Sequence, residues 1–299
     1  MEANVHIGAS QFVWLALGVV ISFIVPVAIA VVWKIKKKEP FTSVLAGAAA
    51  FLLFAIILEK PIQSLLIIPT SLGLKDHALS TFVNARPVLF SLLLGLFPGV
   101  FEETGRLITF KTVLRKRKNR ETSISYGIGH GGFEMMYVFG MAYIQYIVYA
   151  VMINAGVFQS VIDQVAEVAP DQTAALYEVV NSLTAFSFAD LGIGLVERAF
   201  AILFHIGASI LVFYACRDRG KIWLYPLAIV LHTGMDFIAA LSLLNVIKLP
   251  VWALEGIFAL FALLTFAGAY FMLYKRDKLT RASYDQPAVP DGGSEPDAE

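Results

Sequence analysis

Several ionisable side chains stand inside apolar stretches of this sequence and could catalyse hydrolysis. Glu102 and Glu103 are adjacent, and Arg106 follows Glu102 by four residues, on the same face of a helix. Two neighbouring carboxylates in a medium of low dielectric constant cannot both ionise easily, so one of them is a candidate general base for a water molecule. The other members of the set are imidazoles and acids that could hold this water or polarise a carbonyl group: His130, Glu134, His205, His232 and Asp236.

The same side chains suit a divalent metal. His130, His205 and His232 form a set of three ligands that leaves one coordination position open, as catalytic Zn²⁺ requires. The sequence contains no H-E-x-x-H motif, which disfavours the usual helical zinc site. We therefore expect a site that works without a cofactor and keep Zn²⁺ as the alternative. Either arrangement could hydrolyse an amide inside a membrane.

Membrane-spanning helices must position these residues. The chain is 58% hydrophobic and 15% charged, with a mean hydropathy of +0.72. A bilayer core requires about 20 mostly apolar residues per helix. The sequence therefore predicts an all-α, polytopic transmembrane bundle of about seven spans, at residues 11–33, 44–58 extending toward 68, 88–114, 124–157, 190–216, 222–247 and 251–274. Between the fourth and fifth spans, residues 158–187 carry helical apolar spacing that is consistent with a short surface helix.

Loop charges predict the orientation of the bundle. Lys and Arg number 23, as do Asp and Glu, so the net charge of zero gives no reason to expect nucleic-acid binding. The basic residues concentrate in four short segments at 34–38, 115–120, 217–221 and 275–278, and such loops stay cytoplasmic. We expect the N-terminus outside, the C-terminus inside, and a membrane domain over residues 1–278. Residues 279–299 are expected to form a disordered cytoplasmic tail, because they are mostly polar and rich in Pro, Gly and acids.

Four of the ionisable residues are predicted to lie at a common depth in the membrane. Glu103, His130, His205 and His232 lie 10 to 12 residues from the nearest basic loop, which is about 15–18 Å at the helical rise per residue. Intramembrane charges are costly and normally face each other or water. We expect the polar faces of spans three to six to meet in one pocket. Glu197 and Arg198 lie deeper and are expected to form a separate ion pair.

The motifs resemble those of known membrane proteases. Glu102-Glu103-Thr104-Gly105-Arg106 resembles the paired-glutamate motif of glutamic intramembrane proteases, which include the CAAX prenyl endopeptidase and bacteriocin-processing family and the PrsW proteases. His232-Thr233-Gly234-Met235-Asp236 resembles their final H-x-x-x-D/N motif. Together with the sequence around His130 and Phe204-His205, the pattern is most similar to the bacterial YhfC family of intramembrane peptidases, a resemblance that covers most of the membrane domain.

The resemblance implies a role for each residue. Glu102 would activate the water, with His130 as the favoured partner for that water and His205 as the second choice, while His232 and Asp236 would polarise the scissile carbonyl. Arg106 would orient Glu102. Some relatives are described as metalloproteases, which is the source of the Zn²⁺ alternative.

These inferences predict an intramembrane endopeptidase, of glutamic type in preference to metallo type, in a bacterial cell membrane. Its partners would be lipid and a membrane-embedded or lipidated peptide or protein substrate. One alternative is a proton-coupled transporter, in which the same acids relay protons. The other is a non-catalytic membrane scaffold with the architecture of a protease.

Overall fold

All regular elements in the described part of the chain, residues 5–168 and 173–284 of a computed structural model, are helical. Three π segments continue α2, α6 and α12: the first π segment (Leu52–Glu59), the second (Met135–Gly140) and the third (Tyr270–Tyr274). Short 3-10 turns cover Pro69–Leu72 and Arg219–Lys221. The α-helices are α1 (Ala9–Lys37), α2 (Thr42–Phe51), α3 (Lys60–Ile67), α4 (Ala78–Asn84), α5 (Pro87–Lys111), α6 (Glu121–Glu134), α7 (Met141–Asn154), α8 (Phe158–Val168), α9 (Thr173–Ala185), α10 (Phe188–Arg217), α11 (Leu224–Leu243), α12 (Val251–Ala269) and α13 (Arg281–Tyr284).

The predicted class, an all-α polytopic membrane bundle, is confirmed. Seven helical stretches among the described residues are long and apolar enough to cross a membrane. The N-out, C-in orientation stays a prediction from the loop charges. In chain order the spans are Ala9–Lys37, Thr42–Ile67, Pro87–Lys111, Glu121–Asn154, Phe188–Arg217, Arg219–Leu243 and Val251–Tyr274.

Packing between the spans brings the ionisable residues together. The closest helix pairs are α5 with α11 and α2 with α6, and α10 lies between α6 and α12. α5 also contacts α2 and α10, so the third span has the second, fifth and sixth spans as neighbours. α1 lies against α6, α7 and the second π segment. Spans three to six therefore surround a common interior, as the sequence predicted.

Glycines allow two of these helix pairs to approach closely. A Cβ atom added at Gly129 of α6 would lie only 1.8 Å from the carbonyl oxygen of Val44 in α2. One added at Gly95 of α5 would lie 2.6 Å from the backbone nitrogen of Phe237 in α11. Small residues at membrane helix interfaces let backbones meet, because no hydrophobic effect drives helices together in lipid. The site residues on α5, α6 and α11 depend on this close packing.

The segment between the fourth and fifth spans forms two helices, α8 and α9, where one short surface helix was expected. Their apolar faces bury Phe158, Ile162, Val180 and Leu183 against residues of the first, fourth and fifth spans. α10 then begins with a capping box, in which Ser187 and Asp190 exchange hydrogen bonds. This small extramembrane layer covers one end of the bundle.

The chain after the seventh span returns to the loop that precedes α6. The N–H of Arg120 donates to the carbonyl oxygen of Leu279 at 2.9 Å, and the N–H of Arg281 donates to Glu121 Oε2 at 2.8 Å. Asp277 accepts a hydrogen bond from Tyr214 at 2.6 Å and lies 2.5 Å from Arg217. Burial raises the pKa of Asp277, but the hydrogen bonds from Arg217 and Tyr214 outweigh burial and hold this pKa below its usual value. The remainder of the expected tail, residues 285–299, lies outside the described residues.

Candidate active site

The third span contributes three charged residues that are all buried, Glu102, Glu103 and Arg106. One turn of α5 places the Arg106 guanidinium against Glu103, and the two form an ion pair. The Glu102 carboxylate points elsewhere, to His130 on α6, with 2.9 Å between His130 Nε2 and Glu102 Oε2. The two adjacent glutamates therefore have different partners, and only Glu102 borders the cavity described below.

His130 is held by aromatic neighbours as well as by Glu102. The ring of Phe51 meets it edge-on with 5.2 Å between centroids, and Tyr126, one turn earlier on α6, stacks at 6.0 Å. The His130 Nδ1 atom is buried and has no hydrogen-bond partner among the described residues. The imidazole is thus fixed in orientation while one of its nitrogens stays free.

His232 on α11 is oriented by Glu103. Its Nδ1 lies 2.9 Å from Glu103 Oε1, so that Nδ1–H donates to the carboxylate. The other nitrogen, Nε2, lies 3.5 Å from Asp236 Oδ2 and 3.9 Å from Glu102 Oε2. A carboxylate behind a histidine fixes which nitrogen faces the reaction. Glu103 therefore directs His232 Nε2 toward the same space as Glu102.

His205 on α10 connects two further charges. Arg106 Nη2 lies 3.2 Å from His205 Nδ1, and because a guanidinium can only donate, Nδ1 accepts. The proton of this imidazole is then on Nε2, which is 2.5 Å from Glu134 Oε2. His205 lies beside both other histidines, with ring centroids 4.7 Å from His130 and 5.4 Å from His232.

Arg198 belongs to this cluster, contrary to the expectation of a separate pair. It forms an ion pair with Glu197, but its Nη1 also lies 3.1 Å from Glu134 Oε1. Sequence spacing could show that Glu197 and Arg198 are adjacent, but only helix packing sets α6 beside α10. The charged contacts form one chain, Glu197, Arg198, Glu134, His205, Arg106, Glu103 and His232.

All of the site residues expected from the sequence come together in this cluster. Their catalytic roles stay predictions. Sequence reasoning missed Glu59, at the end of the first π segment, whose side chain is buried and whose carboxylate oxygens have no hydrogen-bond partner among the described residues. Lys60 Nζ is 3.4 Å from Glu59 Oε2. The sequence signal that could have identified Glu59 was the presence of an acidic residue inside the predicted second span, which extends toward residue 68.

One group of donors in the described residues has the geometry of a metal site. Single donor atoms of Glu102, His130 and His205 lie within 4.8 Å of one another. One carboxylate and two imidazoles are a donor set found in catalytic zinc sites, so these residues fit such an ion. The histidine set expected from the sequence differs by one member, because Glu102 takes the place of His232.

The cluster forms the floor of a cavity of about 970 Å³. Glu102, His205, His232 and Asp236 line its polar end, and most other lining residues are apolar. Every span except the first contributes to the walls, as far as the described residues show. The lining residues farthest from the cluster lie toward the helix ends opposite the basic loops: Ser64, Leu72, Leu94, Leu243 and Leu254.

Toward the basic loops, by contrast, the bundle is closed by a packed core. Phe110 follows Arg106 by one turn, and Tyr126 precedes His130 by one turn; both are buried and their rings are 4.7 Å apart. Phe213 of α10 joins them, with its centroid 5.4 Å from that of Phe110. In the part of the chain that the structure describes, packed aromatic rings therefore separate the cavity from the basic loops.

Fold and site together define a multi-pass helical membrane protein with a buried carboxylate and histidine centre at the floor of an intramembrane cavity. The chain belongs to the YhfC intramembrane metalloprotease family, whose profile matches residues 21–262. This confirms the resemblance found in the motifs and supports the predicted class, an intramembrane protease. The chain is also 29% identical over 253 residues to the uncharacterized membrane protein YhfC of Bacillus subtilis (strain 168), a match that covers 85% of this chain and 93% of the relative. No solved structure matches.

Proposed function

We propose that this protein is an intramembrane endopeptidase that hydrolyses a peptide bond of a membrane-associated substrate. The observation that carries the proposal is the position of Glu102, which is bonded to His130, faces His232 Nε2 and lies at the floor of a cavity with mostly apolar walls. Peptide hydrolysis requires a base for water, a donor for the carbonyl oxygen and an environment that holds an apolar substrate. The cluster and the cavity together offer all of these.

Glu102 is the residue on which the reaction depends most. In the metal-free form the attacking water replaces the direct contact between Glu102 and His130 and accepts a hydrogen bond from His130. Glu102 takes a proton from this water as its oxygen attacks the carbonyl carbon, and passes that proton to the amine nitrogen as the C–N bond breaks. His232 in its charged form donates from Nε2 to the carbonyl oxygen, and the Glu103 carboxylate behind it stabilises that charge. Asp236, next to Nε2, assists this donation when protonated. Glu134 and Arg106 hold the His205 ring from both sides.

The metal-dependent form uses the same residues differently. Glu102, His130 and His205 would hold the ion, and Zn²⁺ when bound would act as a Lewis acid toward the scissile carbonyl and the attacking water. One nitrogen of His205 would bind the ion in place of its contact with either Arg106 or Glu134, and the remaining contact would orient the ring. The compact donor group and the family's description both support this form, so we propose it alongside the metal-free form and design the experiment to separate them.

The experiment combines cleavage assays with metal analysis on one preparation. Purified protein is reconstituted in liposomes with membrane-inserted peptides, and Glu102→Gln is compared with Glu178→Gln, a change of an exposed acid on α9. We expect Glu102→Gln to slow cleavage by about 10²-fold or more, the usual contribution of a general base, and Glu178→Gln to have no effect. Cleavage by Glu102→Gln at the wild-type rate would refute the proposal.

Metal content then decides the mechanism. Stoichiometric Zn²⁺ in the wild-type protein, with loss of activity on chelation and recovery on readdition, would establish the metal-dependent form. Full activity in metal-free protein would establish the glutamic form. A proton-coupled carrier is less well supported, because a carrier needs a polar path to both faces, whereas apolar residues such as Phe110 and Phe213 pack between the cluster and the basic loops.

A further inference from the structure

Two of the π segments lie at overlapping depths on two different spans. Counted from the ends nearest the basic loops, the first π segment occupies residues 10 to 17 after Thr42, and the second occupies residues 14 to 19 after Glu121. At the helical rise per residue both include a layer about 21–26 Å from that end. π-helical segments are rare in proteins, and those that occur are often found at functional sites.

The second span changes its neighbour at the first π segment. In α2, Gly47 packs directly on α6, and a Cβ added there would lie 2.1 Å from the carbonyl oxygen of Tyr126. Beyond α2 the span packs instead on α5, where Phe54 covers Gly105 at 2.4 Å from the position of an added Cβ. The second and fourth spans therefore pack tightly near the basic loops and separate beyond Phe51.

Residues on both of the separated spans line the cavity, one set on each side of the gap between them. Ala55 and Ile56 of the first π segment line the cavity on one side, and Tyr137 and Val138 of the second π segment line it on the other. Tyr137 and Val138 are also 42% and 46% exposed. These four residues define what we call the lateral opening.

The lateral opening is apolar and the cavity floor is charged. This combination indicates which kind of substrate segment can pass through the lateral opening. An apolar helix in lipid loses no hydration when it moves between such side chains, whereas a charged or hydrated loop would lose its water there. At the floor, unwound backbone would find Glu102, His205 and His232. We propose that an apolar, membrane-embedded peptide segment of the substrate enters from the bilayer through the lateral opening, an inference that rests on the proposed peptidase function.

The test uses a photoreactive transmembrane peptide and matched tryptophan variants. The probe is a lysine-flanked Leu/Ala helix with one central benzoylphenylalanine, reconstituted with the protein in liposomes. Ile56→Trp narrows the lateral opening, and Leu53→Trp is its control, because Leu53 belongs to the same π segment, is exposed and does not line the cavity. Val138→Trp and its control Met141→Trp form the corresponding pair on the fourth span.

We expect photocrosslinking to cavity-lining residues to fall several-fold in Ile56→Trp and Val138→Trp and to stay at the wild-type level in both controls. Equal crosslinking in all variants, or adducts that map to the exposed face of α12 at Leu263 and Leu264, would overturn the proposal. Photocrosslinking needs no catalysis, so it is repeated in Glu102→Gln. If Glu102→Gln still cleaves the substrate, the peptidase proposal fails, and the crosslinking result decides the lateral entrance by itself. If the tryptophan variants bind the probe and cleave substrate normally, only the proposal of lateral entrance fails.

A reversible tether separates a closed opening from a misfolded protein. In a Cys216→Ser background, which removes the chain's single cysteine, Ile56→Cys and Val138→Cys are joined by a reducible bifunctional thiol reagent. Crosslinking of the probe should fall when the tether forms and return on reduction. The control tether joins Ile7→Cys to Asn154→Cys, which lie together away from the opening, where Ile7 N–H donates to Asn154 Oδ1 at 2.7 Å. A loss of probe binding with the control tether, or no recovery on reduction, would contradict the lateral entrance.

Discussion

Replacing Glu103 by glutamine tests whether the adjacent glutamates have separate roles. Glu103 and Arg106 are both fully buried and paired, and Glu103 also accepts a hydrogen bond from His232. Glu103→Gln keeps the shape of the side chain but removes the carboxylate charge beside a buried guanidinium. Removing one partner of a buried ion pair costs about 3–5 kcal/mol. The glutamine oxygen can still accept a hydrogen bond, so we expect a loss near the lower end, about 3 kcal/mol.

This loss is large enough to measure as a thermal shift. In a chain of this size 1 kcal/mol corresponds to a change in midpoint of about 2–4 °C, so Glu103→Gln should lower the midpoint by about 6–12 °C. Cys216 provides the assay, because it is the single cysteine and its side chain is partly buried. A fluorophore that reacts with the thiol on unfolding reports the midpoint in detergent.

Two comparisons decide the interpretation. Glu102→Gln has no paired guanidinium to leave uncompensated and only weakens the hydrogen bond from His130, by about 1 kcal/mol, so its midpoint should fall by only about 2–4 °C although we expect its activity to be lost. Arg106→Met combined with Glu103→Gln removes both charges and should unfold at a higher temperature than the sum of the single changes predicts. Equal shifts in the two glutamate variants, or strictly additive losses in the double variant, would refute the division of roles.

Other parts of the structure lead to further predictions. Arg198→Gln releases Glu134 and should lower kcat/KM by about 10–100-fold, with partial recovery in Arg198→Lys, because it acts through a residue that holds His205. Gly129→Ala should cost about 1–3 kcal/mol in thermal unfolding, because the added methyl meets the backbone of the neighbouring helix, whereas at Gly256 the methyl meets open space and Gly256→Ala should be neutral or stabilise the helix by up to about 1 kcal/mol. Asp277→Asn should lower the midpoint at neutral pH. Because the pKa of Asp277 is lowered by folding, its contribution is present above the unfolded value of about 3.9 and disappears as pH falls through the folded value, where mutant and wild type should converge.

The sequence predicted the elements of this protein well, because a bilayer imposes simple rules on helices. Apolar runs of the right length mark the spans, and spacing of four residues shows that His130 and Glu134, or His232 and Asp236, share a face. Depth counted from the basic loops also predicted that residues from four helices would meet. The same counting could not detect the role of Arg198, because its contact with Glu134 depends on the packing of α10 against α6.

The π segments were also beyond sequence reasoning. Nothing in the apolar pattern of residues 52–59 or 135–140 distinguishes a π-helix from an α-helix, because both bury their backbone hydrogen bonds within the segment. Their effect appears only when the second span leaves α6 for α5. The lateral opening and the buried Glu59 follow from that change of neighbour.

The sequence by itself determined the class of this protein, its spans and the chemical types gathered at one depth, since hydropathy, charge and helical period are local properties. Only the tertiary structure decided which nitrogen of each histidine faces which carboxylate, that Glu103 pairs with Arg106 while Glu102 faces the cavity, and that a packed core separates the cavity from the basic loops. Those features depend on the rotation and close approach of helices that are distant in the chain, and side-chain spacing along one helix contains no information about either.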